Sequence, residues 1–149
     1  MMNFTNKFSI GCISIFMERK GIIKGGILGV IGVLLGAFGA HALKEVLSPD
    51  QLISFNTGVR YQMIHALAIL ILVLVYAKWP LKQFKIAVML IFIGVILFSG
   101  SIYLLNLREL LSMEWLKFLG PVTPIGGTLI ITGWLMVVAG GLKLSKHRA

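Results

Sequence analysis

The fold is decided by a charge-free stretch at positions 25–43, which reads GGILGVIGVLLGAFGAHAL. A bilayer core about 30 Å thick needs roughly 20 helical residues to cross it, and this stretch is near that length. Three further charge-free runs follow at 61–77, 86–107 and 118–142. Because hydrocarbon offers no hydrogen-bond partner to the backbone, each run is predicted to be a helix. The sequence therefore predicts an all-α, polytopic membrane protein, a tight antiparallel bundle of four transmembrane helices.

The composition also favours a lipid environment over a nucleic-acid partner. The chain is 58% hydrophobic and 13% charged, with a formal net charge of +9. The basic residues flank the predicted spans, where they contact anionic headgroups, and no basic patch with interleaved aromatic residues occurs. We therefore expect the lipid bilayer as a partner and no nucleic acid.

Charges between the runs fall on alternating sides of the predicted membrane. One side carries the acid Glu18 and the basic residues Lys7, Arg19, Lys20, Lys24, Lys78, Lys82, Lys85, Lys143, Lys146 and Arg148. On the other side four basic residues are balanced by four acidic ones: Lys44, Arg60, Arg108, Lys117, Glu45, Asp50, Glu109 and Glu114. The positive-inside rule then predicts a multi-pass protein of the cytoplasmic membrane with both termini in the cytoplasm.

One transmembrane domain is predicted at 22–142, with spans at about 25–43, 61–77, 86–107 and 124–142. It is preceded by a cytoplasmic extension, 1–21, and followed by a basic cytoplasmic tail, 143–149. Met17 is a second candidate start, which would make 1–16 dispensable, and whether those residues are translated stays open. Ser48-Pro49-Asp50-Gln51 predicts a capped helix start, and Thr123-Pro124 repeats the cap-plus-proline pattern. Gly58 is a candidate bend.

The chain holds 17 glycines, and several recur at helical spacing. Small residues at such spacing let helix backbones approach closely in a membrane. We predict that helix packing uses Gly29, Gly32, Gly36, Gly126, Gly133 and Gly140. The same faces would serve dimerisation, so a homo-oligomer or a membrane-protein partner is left open.

Polar residues in or next to the predicted spans gather in the outer half of the bundle, the half away from the cytoplasm. This candidate cluster consists of His41, Thr57, Tyr61, His65, Ser99, Tyr103, Asn106 and Thr123. Polar groups inside a membrane are a functional hypothesis by default, but such side chains also hydrogen-bond between helices for about 1 kcal/mol or less. We favour the structural interpretation.

No arrangement typical of a catalytic or metal site is found. His41 and His65 fall short of the three protein ligands that a catalytic zinc ion needs, and no Asp or Glu lies within a span. No Ser-His-Asp or Cys-His set occurs. We therefore predict no catalytic residue, metal ligand or cofactor.

Five motifs carry a resemblance to a known family. They are LGAFGAH at 35–41, TGxxYQxxHALA at 57–68, LFSGSxY at 97–103, VTPxGG at 122–127 and GW at 133–134. The motifs and their order resemble those of a family of small membrane proteins known as domain of unknown function 423. Vertebrate transmembrane protein 256 is a relative of that family. The extension before Met17 departs from the family's usual short start. The resemblance implies a four-span protein of the bacterial cytoplasmic membrane and brings no established activity, cofactor or catalytic residue.

The function predicted from sequence is that of a non-enzymatic integral membrane protein. It would serve as an accessory or structural subunit, or bind a lipid or small ligand in its outer half. The alternative is a small channel or transporter that uses the polar cluster around His41 and His65. A membrane enzyme is the least supported class.

Overall fold

The computed structural model describes the backbone of residues 4–146 and the side chains of residues 18–144. Its helices are α1 (Phe4–Ala40), α2 (Pro49–Lys78), α3 (Lys82–Leu107) and α4 (Val122–Lys146), with short 3₁₀ helices at Leu43–Glu45 and Glu114–Leu119. Four helical segments are long and apolar enough to cross a membrane. The predicted all-α protein with four membrane-spanning helices is thereby confirmed.

The helices pack antiparallel in chain order, so that α2 and α3 form the centre and α1 and α4 flank them. We call the end with the turn at 79–81 and the last turn of α4 the terminal end, and the end with both 3₁₀ helices the distal end. Gly21 of α1 lies against Val73 of α2, near the terminal end. The helix of the first span thus continues back into the predicted extension, 1–21, as far as Phe4.

The start of α2 is fixed by the predicted capping box, which the structure confirms. The Ser48 hydroxyl accepts from the Gln51 N–H at 3.3 Å, and the Gln51 side-chain oxygen accepts from the Ser48 N–H at 2.9 Å. Pro49 occupies the first turn. These bonds satisfy backbone donors that a helix start leaves unpaired.

α2 passes Gly58 without a break in its helix, and the glycine makes room for the ring of Tyr103. One local prediction is wrong. α4 begins at Val122, so Thr123 lies inside the helix rather than capping it. The Thr123 hydroxyl pairs with Ser101 of α3 at 2.7 Å, because this neighbouring helix offers a hydroxyl partner.

The apolar core lies between the two central helices and their flanking partners. Its most buried members include Phe55, Ile69, Ile91 and Val95, which are fully buried. The flanking helices keep broad apolar faces exposed: Val30, Val33 and Leu34 on α1, and Ile131, Leu135 and Val138 on α4. Such faces would be a liability in water and are the natural surface of a protein dissolved in lipid.

Candidate functional site

Gln62 of α2 joins three helices through one buried amide, with only 3% of its surface exposed. Its Nε2 donates to the backbone carbonyl of Leu28 in α1 at 2.8 Å. Its Oε1 accepts from the Tyr103 hydroxyl of α3 at 2.9 Å. Both ends of the amide are therefore satisfied by other helices.

The bond to α1 depends on a glycine. Gly32 lies one turn after Leu28, and a Cβ at Gly32 would sit 2.6 Å from the Met63 sulfur and 3.5 Å from Gln62 Nε2. The missing side chain lets α2 approach α1 closely enough for the amide to reach a helix carbonyl. Close approach and hydrogen bonding are thus coupled at this point.

A second contact between α2 and α3 lies one turn closer to the distal end. Ser99, only 1% exposed, donates its hydroxyl to the Gly58 carbonyl at 2.9 Å. The Tyr103 ring packs against Gly58, where a Cβ would lie 2.8 Å from the ring carbon Cε1. Phe55 covers the same ring, with centroids 4.9 Å apart. The glycine therefore permits both the aromatic contact and the hydroxyl bond.

Asn106 makes a third contact between α2 and α3, one further turn along α2 towards the distal end. Its Nδ2 donates to the Ser54 hydroxyl of α2 at 3.0 Å and to the Ile102 carbonyl of its own helix at 2.7 Å. Ser99, Tyr103 and Asn106 thus reach α2 from one face of α3. We call Gln62 with these three residues and their partners the polar network.

His65 makes a separate contact on another side of α2, towards α4. Its Nδ1 lies 2.7 Å from the Tyr61 carbonyl, and the Trp134 Nε1–H points at its Nε2 at 3.3 Å. An indole N–H only donates, so Nε2 must accept and Nδ1 must carry the proton. Both nitrogens of a neutral imidazole are therefore in use.

Aromatic rings surround this histidine. The Tyr61 ring stacks on His65 with centroids 5.8 Å apart, and it contacts Phe98 of α3 at 4.7 Å. Trp134 meets the imidazole edge-on at 6.2 Å. This aromatic group of Tyr61, His65, Phe98 and Trp134 links α2, α3 and α4.

The structure divides the predicted cluster into parts. Ser99, Tyr103 and Asn106 belong to the polar network, whereas Tyr61 and His65 belong to the aromatic group. The Thr57 hydroxyl donates to the Ile53 carbonyl of its own helix at 3.0 Å, and the Thr123 hydroxyl pairs with Ser101 away from both groups.

His41 lies outside both groups. α1 ends at Ala40, and His41 is exposed in the turn that follows. It borders a shallow depression with Lys44 and Glu45. Within the described part of the chain, no set of three His, Cys, Asp or Glu side chains could hold a metal ion.

The glycines named for helix packing differ in their surroundings. Gly126, Gly133 and Gly140 face α3, where an added Cβ would meet Phe98, Ile91 and Phe84 respectively. On α1, Gly32 faces Met63 and Gly36 faces Val59 at 3.3 Å. Gly29 has nothing within 4 Å of an added Cβ, so its position requires no small residue for packing.

Sequence reasoning missed four participants: Gln62, Ser54, Phe98 and Trp134. Gln62 carried a usable signal, since it is an amide within the apolar run 61–77, one helical turn from Gly58. Trp134 carried no such signal beyond its place in a predicted span.

Among residues 18–144, Arg108 Nε is the one buried side-chain nitrogen or oxygen without a hydrogen-bond partner.

Comparisons with known proteins agree with this architecture. UPF0382 membrane protein YwdK of Bacillus subtilis (strain 168) is 37% identical over 123 residues, which cover 82% of this chain and 95% of the relative. UPF0382 membrane protein SAB0533 of Staphylococcus aureus is 39% identical over 124 residues, covering 83% and 96%. UPF0382 inner membrane protein YgdD of Escherichia coli is 34% identical over 129 residues, covering 87% and 94%.

The family model described as "Protein of unknown function (DUF423)" matches residues 35–127. That range holds most of the polar network and the whole of the tight turn between α2 and α3. No solved structure matches the chain. The match confirms the family resemblance of the sequence motifs: this chain is a multi-pass membrane protein that belongs to the family of unknown function 423.

Proposed function

We propose that this protein is a non-enzymatic accessory subunit of the membrane, a rigid scaffold that presents its flanking helices to a partner membrane protein. One observation carries this proposal: the polar network forms hydrogen bonds between helices. Gln62 ties α2 to α1 and α3, and Ser99 and Asn106 tie α3 to α2. A site that acts on a substrate would need some of these groups unpaired.

The surfaces that remain for function are the apolar faces of α1 and α4. Each flanking helix packs mainly against one neighbour, and Leu34 and Leu135 are 63% and 58% exposed. In a bilayer such faces contact lipid tails or another transmembrane helix. Van der Waals packing against a partner helix is the interaction that they can supply.

We place both termini and the terminal end in the cytoplasm. The turn at 79–81 is flanked by Lys78 and Lys82, whereas Glu109 and Glu114 lie at the distal end beside Arg108 and Lys117. This asymmetry supports a cytoplasmic terminal end by the positive-inside rule. The name of the Escherichia coli relative, an inner membrane protein, supports the cytoplasmic membrane as the location.

The channel alternative is less supported because His41 and His65 do not form one site. Both His65 nitrogens are engaged, by Tyr61 and Trp134, while His41 is exposed beyond the end of α1. A conduction path through His65 would first require the Trp134 bond to break.

Site-specific photocrosslinking in intact bacterial membranes tests the proposal. A photoreactive residue at Leu34 or Leu135 should give a discrete adduct with one partner chain. The same residue at Ile53, which is 67% exposed on α2, is the control and should not. Adducts with lipid alone at all three positions would contradict an accessory role.

Proton flux into proteoliposomes provides the opposing test. We expect the wild-type protein to leave flux at the level of protein-free vesicles. Flux that appears with the wild-type chain and disappears with His65→Ala would overturn the accessory proposal and establish the channel.

A further inference from the structure

An apolar groove lies between α2 and α4 in the half of the bundle nearer the terminal end. Its volume is about 440 Å³, and its walls include Ile71 and Val75 of α2, Phe84 of α3, and Trp134 and Val137 of α4. All these side chains present hydrocarbon or aromatic surface. In a bilayer the groove therefore opens onto lipid tails, and its occupant must be apolar.

The length of the groove suits a single extended acyl chain. Its α2 wall runs from Ile64 to Val75, which is about 16 Å along the helix axis at 1.5 Å per residue. Half of a hydrocarbon core about 30 Å thick is about 15 Å, which is the depth that the acyl chains of one leaflet fill. The groove therefore matches the hydrocarbon part of one leaflet.

A positive charge lies in line with the groove at the terminal end. Lys78 follows Val75 by three residues and Ile71 by seven, which puts all three on one face of α2. Its side chain is exposed, and its Nζ lies 4.7 Å from the centroid of the Trp79 ring. A lysine beside a tryptophan at the end of a span is the usual arrangement at the lipid headgroup level.

We propose that this groove binds one acyl chain of an anionic phospholipid, whose headgroup phosphate is held by Lys78. The apolar walls take the chain, and the ammonium group complements the phosphate charge. The lipid comes from the leaflet at the terminal end. This site lies away from the polar network, and it does not depend on the accessory role or on a partner at α1 or α4.

Native mass spectrometry of the delipidated full-length protein, titrated with phosphatidylglycerol, tests the proposal. Ile71→Trp fills the groove, whereas Leu74→Trp adds the same bulk three residues further along α2. Both native side chains are well exposed, at 60% and 69%, so neither change disturbs the core. We expect one retained lipid per wild-type chain, about tenfold weaker binding in Ile71→Trp and unchanged binding in Leu74→Trp.

The headgroup requirement is tested with a second pair of variants and a second lipid. Lys78→Gln should weaken phosphatidylglycerol binding several-fold, whereas Lys44→Gln, at the distal end, should leave it unchanged. Zwitterionic phosphatidylcholine should bind the wild-type chain as weakly as phosphatidylglycerol binds Lys78→Gln.

Three results would overturn the proposal: no retained lipid, equal binding by both tryptophan variants, or a dimer that Ile71→Trp alone dissociates. The last result would make a second copy of the chain the occupant. Leu34 lies on α1, which does not line the groove, so the crosslink from Leu34 distinguishes failure here from failure of the accessory role.

Discussion

The two interfaces made by α3 are held together by different means. Towards α4, backbones touch: a Cβ on Gly94 would lie 2.9 Å from the Gly126 carbonyl oxygen, and a Cβ on Gly126 would lie 2.8 Å from the Gly94 oxygen. Towards α2, side chains bond: Ser99, Tyr103 and Asn106 each reach a partner on that helix. Close packing dominates one interface and hydrogen bonding the other.

This difference shows two solutions to one problem. Lipid tails are as apolar as leucine, so hydrophobicity does not drive helices together within the bilayer. Glycine faces gain van der Waals contact along the whole α3–α4 interface, but a shift of one helix along the other breaks few hydrogen bonds there. Gln62 and Asn106 instead fix the register, because each bond forms at one alignment only. We infer that the α3–α4 interface contributes most to the stability of helix association, and that the α2–α3 interface fixes the register of the helices.

Breaking the close-packed interface should have the largest effect. Gly126→Leu forces a side chain into the backbone of Phe98 and Gly94, which cannot be relieved by a rotamer change. We expect a loss of about 3 kcal/mol in the free energy of unfolding, measured by denaturant titration in micelles. Gly141 has nothing within 4 Å of an added Cβ, so Gly141→Ala should change stability by less than about 0.5 kcal/mol. Equal effects of both substitutions would contradict the close-packed seam.

The hydrogen-bonded interface should be the next most sensitive. Gln62→Met keeps the length of the side chain but removes both bonds, and leaves the Tyr103 hydroxyl without its acceptor. We expect a loss of about 1–2 kcal/mol in the same titration. Thr57→Val is the matched control on α2, since the Thr57 hydroxyl bonds only to its own helix. A larger loss of stability in Thr57→Val than in Gln62→Met would contradict the stabilising role of the Gln62 bonds between helices.

A single hydroxyl bond at the same interface should count for less. Ser99→Ala removes the donor to the Gly58 carbonyl and should lower stability by about 0.6 kcal/mol. Thr132 bonds within α4 to the Thr128 carbonyl at 2.8 Å, so Thr132→Val serves as the control and should have no measurable effect. Equal losses of stability in Ser99→Ala and Thr132→Val would contradict a stabilising bond between helices at Ser99.

The bond between α2 and α4 should be the weakest of those compared. Trp134→Phe keeps an aromatic side chain, although a smaller one, and removes the indole donor to His65; we expect less than about 0.5 kcal/mol of destabilisation. Nitrogen NMR of His65 is the sharper measurement. It should show the Nδ1–H tautomer in both proteins, because the Tyr61 carbonyl can only accept, and a changed Nε2 resonance in the variant, which lacks the indole donor. A wild-type imidazole protonated on Nε2 would contradict the contact.

Much of this fold could be predicted from the sequence, because lipid imposes simple rules. Length and hydropathy located four helices, and the local signal of Ser48 and Gln51 located the start of α2. Helical periodicity placed Ser99, Tyr103 and Asn106 on one face. These features depend on short-range geometry, which residue spacing encodes directly.

The rest depends on how the helices rotate against one another, which spacing does not encode. Gln62 follows Tyr61 directly, yet a step of about 100° around α2 sends them into different groups. Gly29 and Gly32 look equivalent in sequence, but only Gly32 faces α2 closely. Depth along the predicted span groups His41 with the polar cluster, whereas the turn after Ala40 leaves it exposed. The sequence predicts a capping role for Thr123, because its bond to Ser101 forms only when α3 and α4 are packed together.

A double-mutant cycle between Gln62→Met and Tyr103→Phe in bicelles tests whether the buried polar groups hold the helices together. Stability is measured for the wild-type chain, both single variants and the double variant, so that the coupling between the two side chains is isolated. We expect a coupling of about 1 kcal/mol, with the double variant more stable than the sum of the single effects implies. Strict additivity, with no coupling, would contradict the structural role of the polar network.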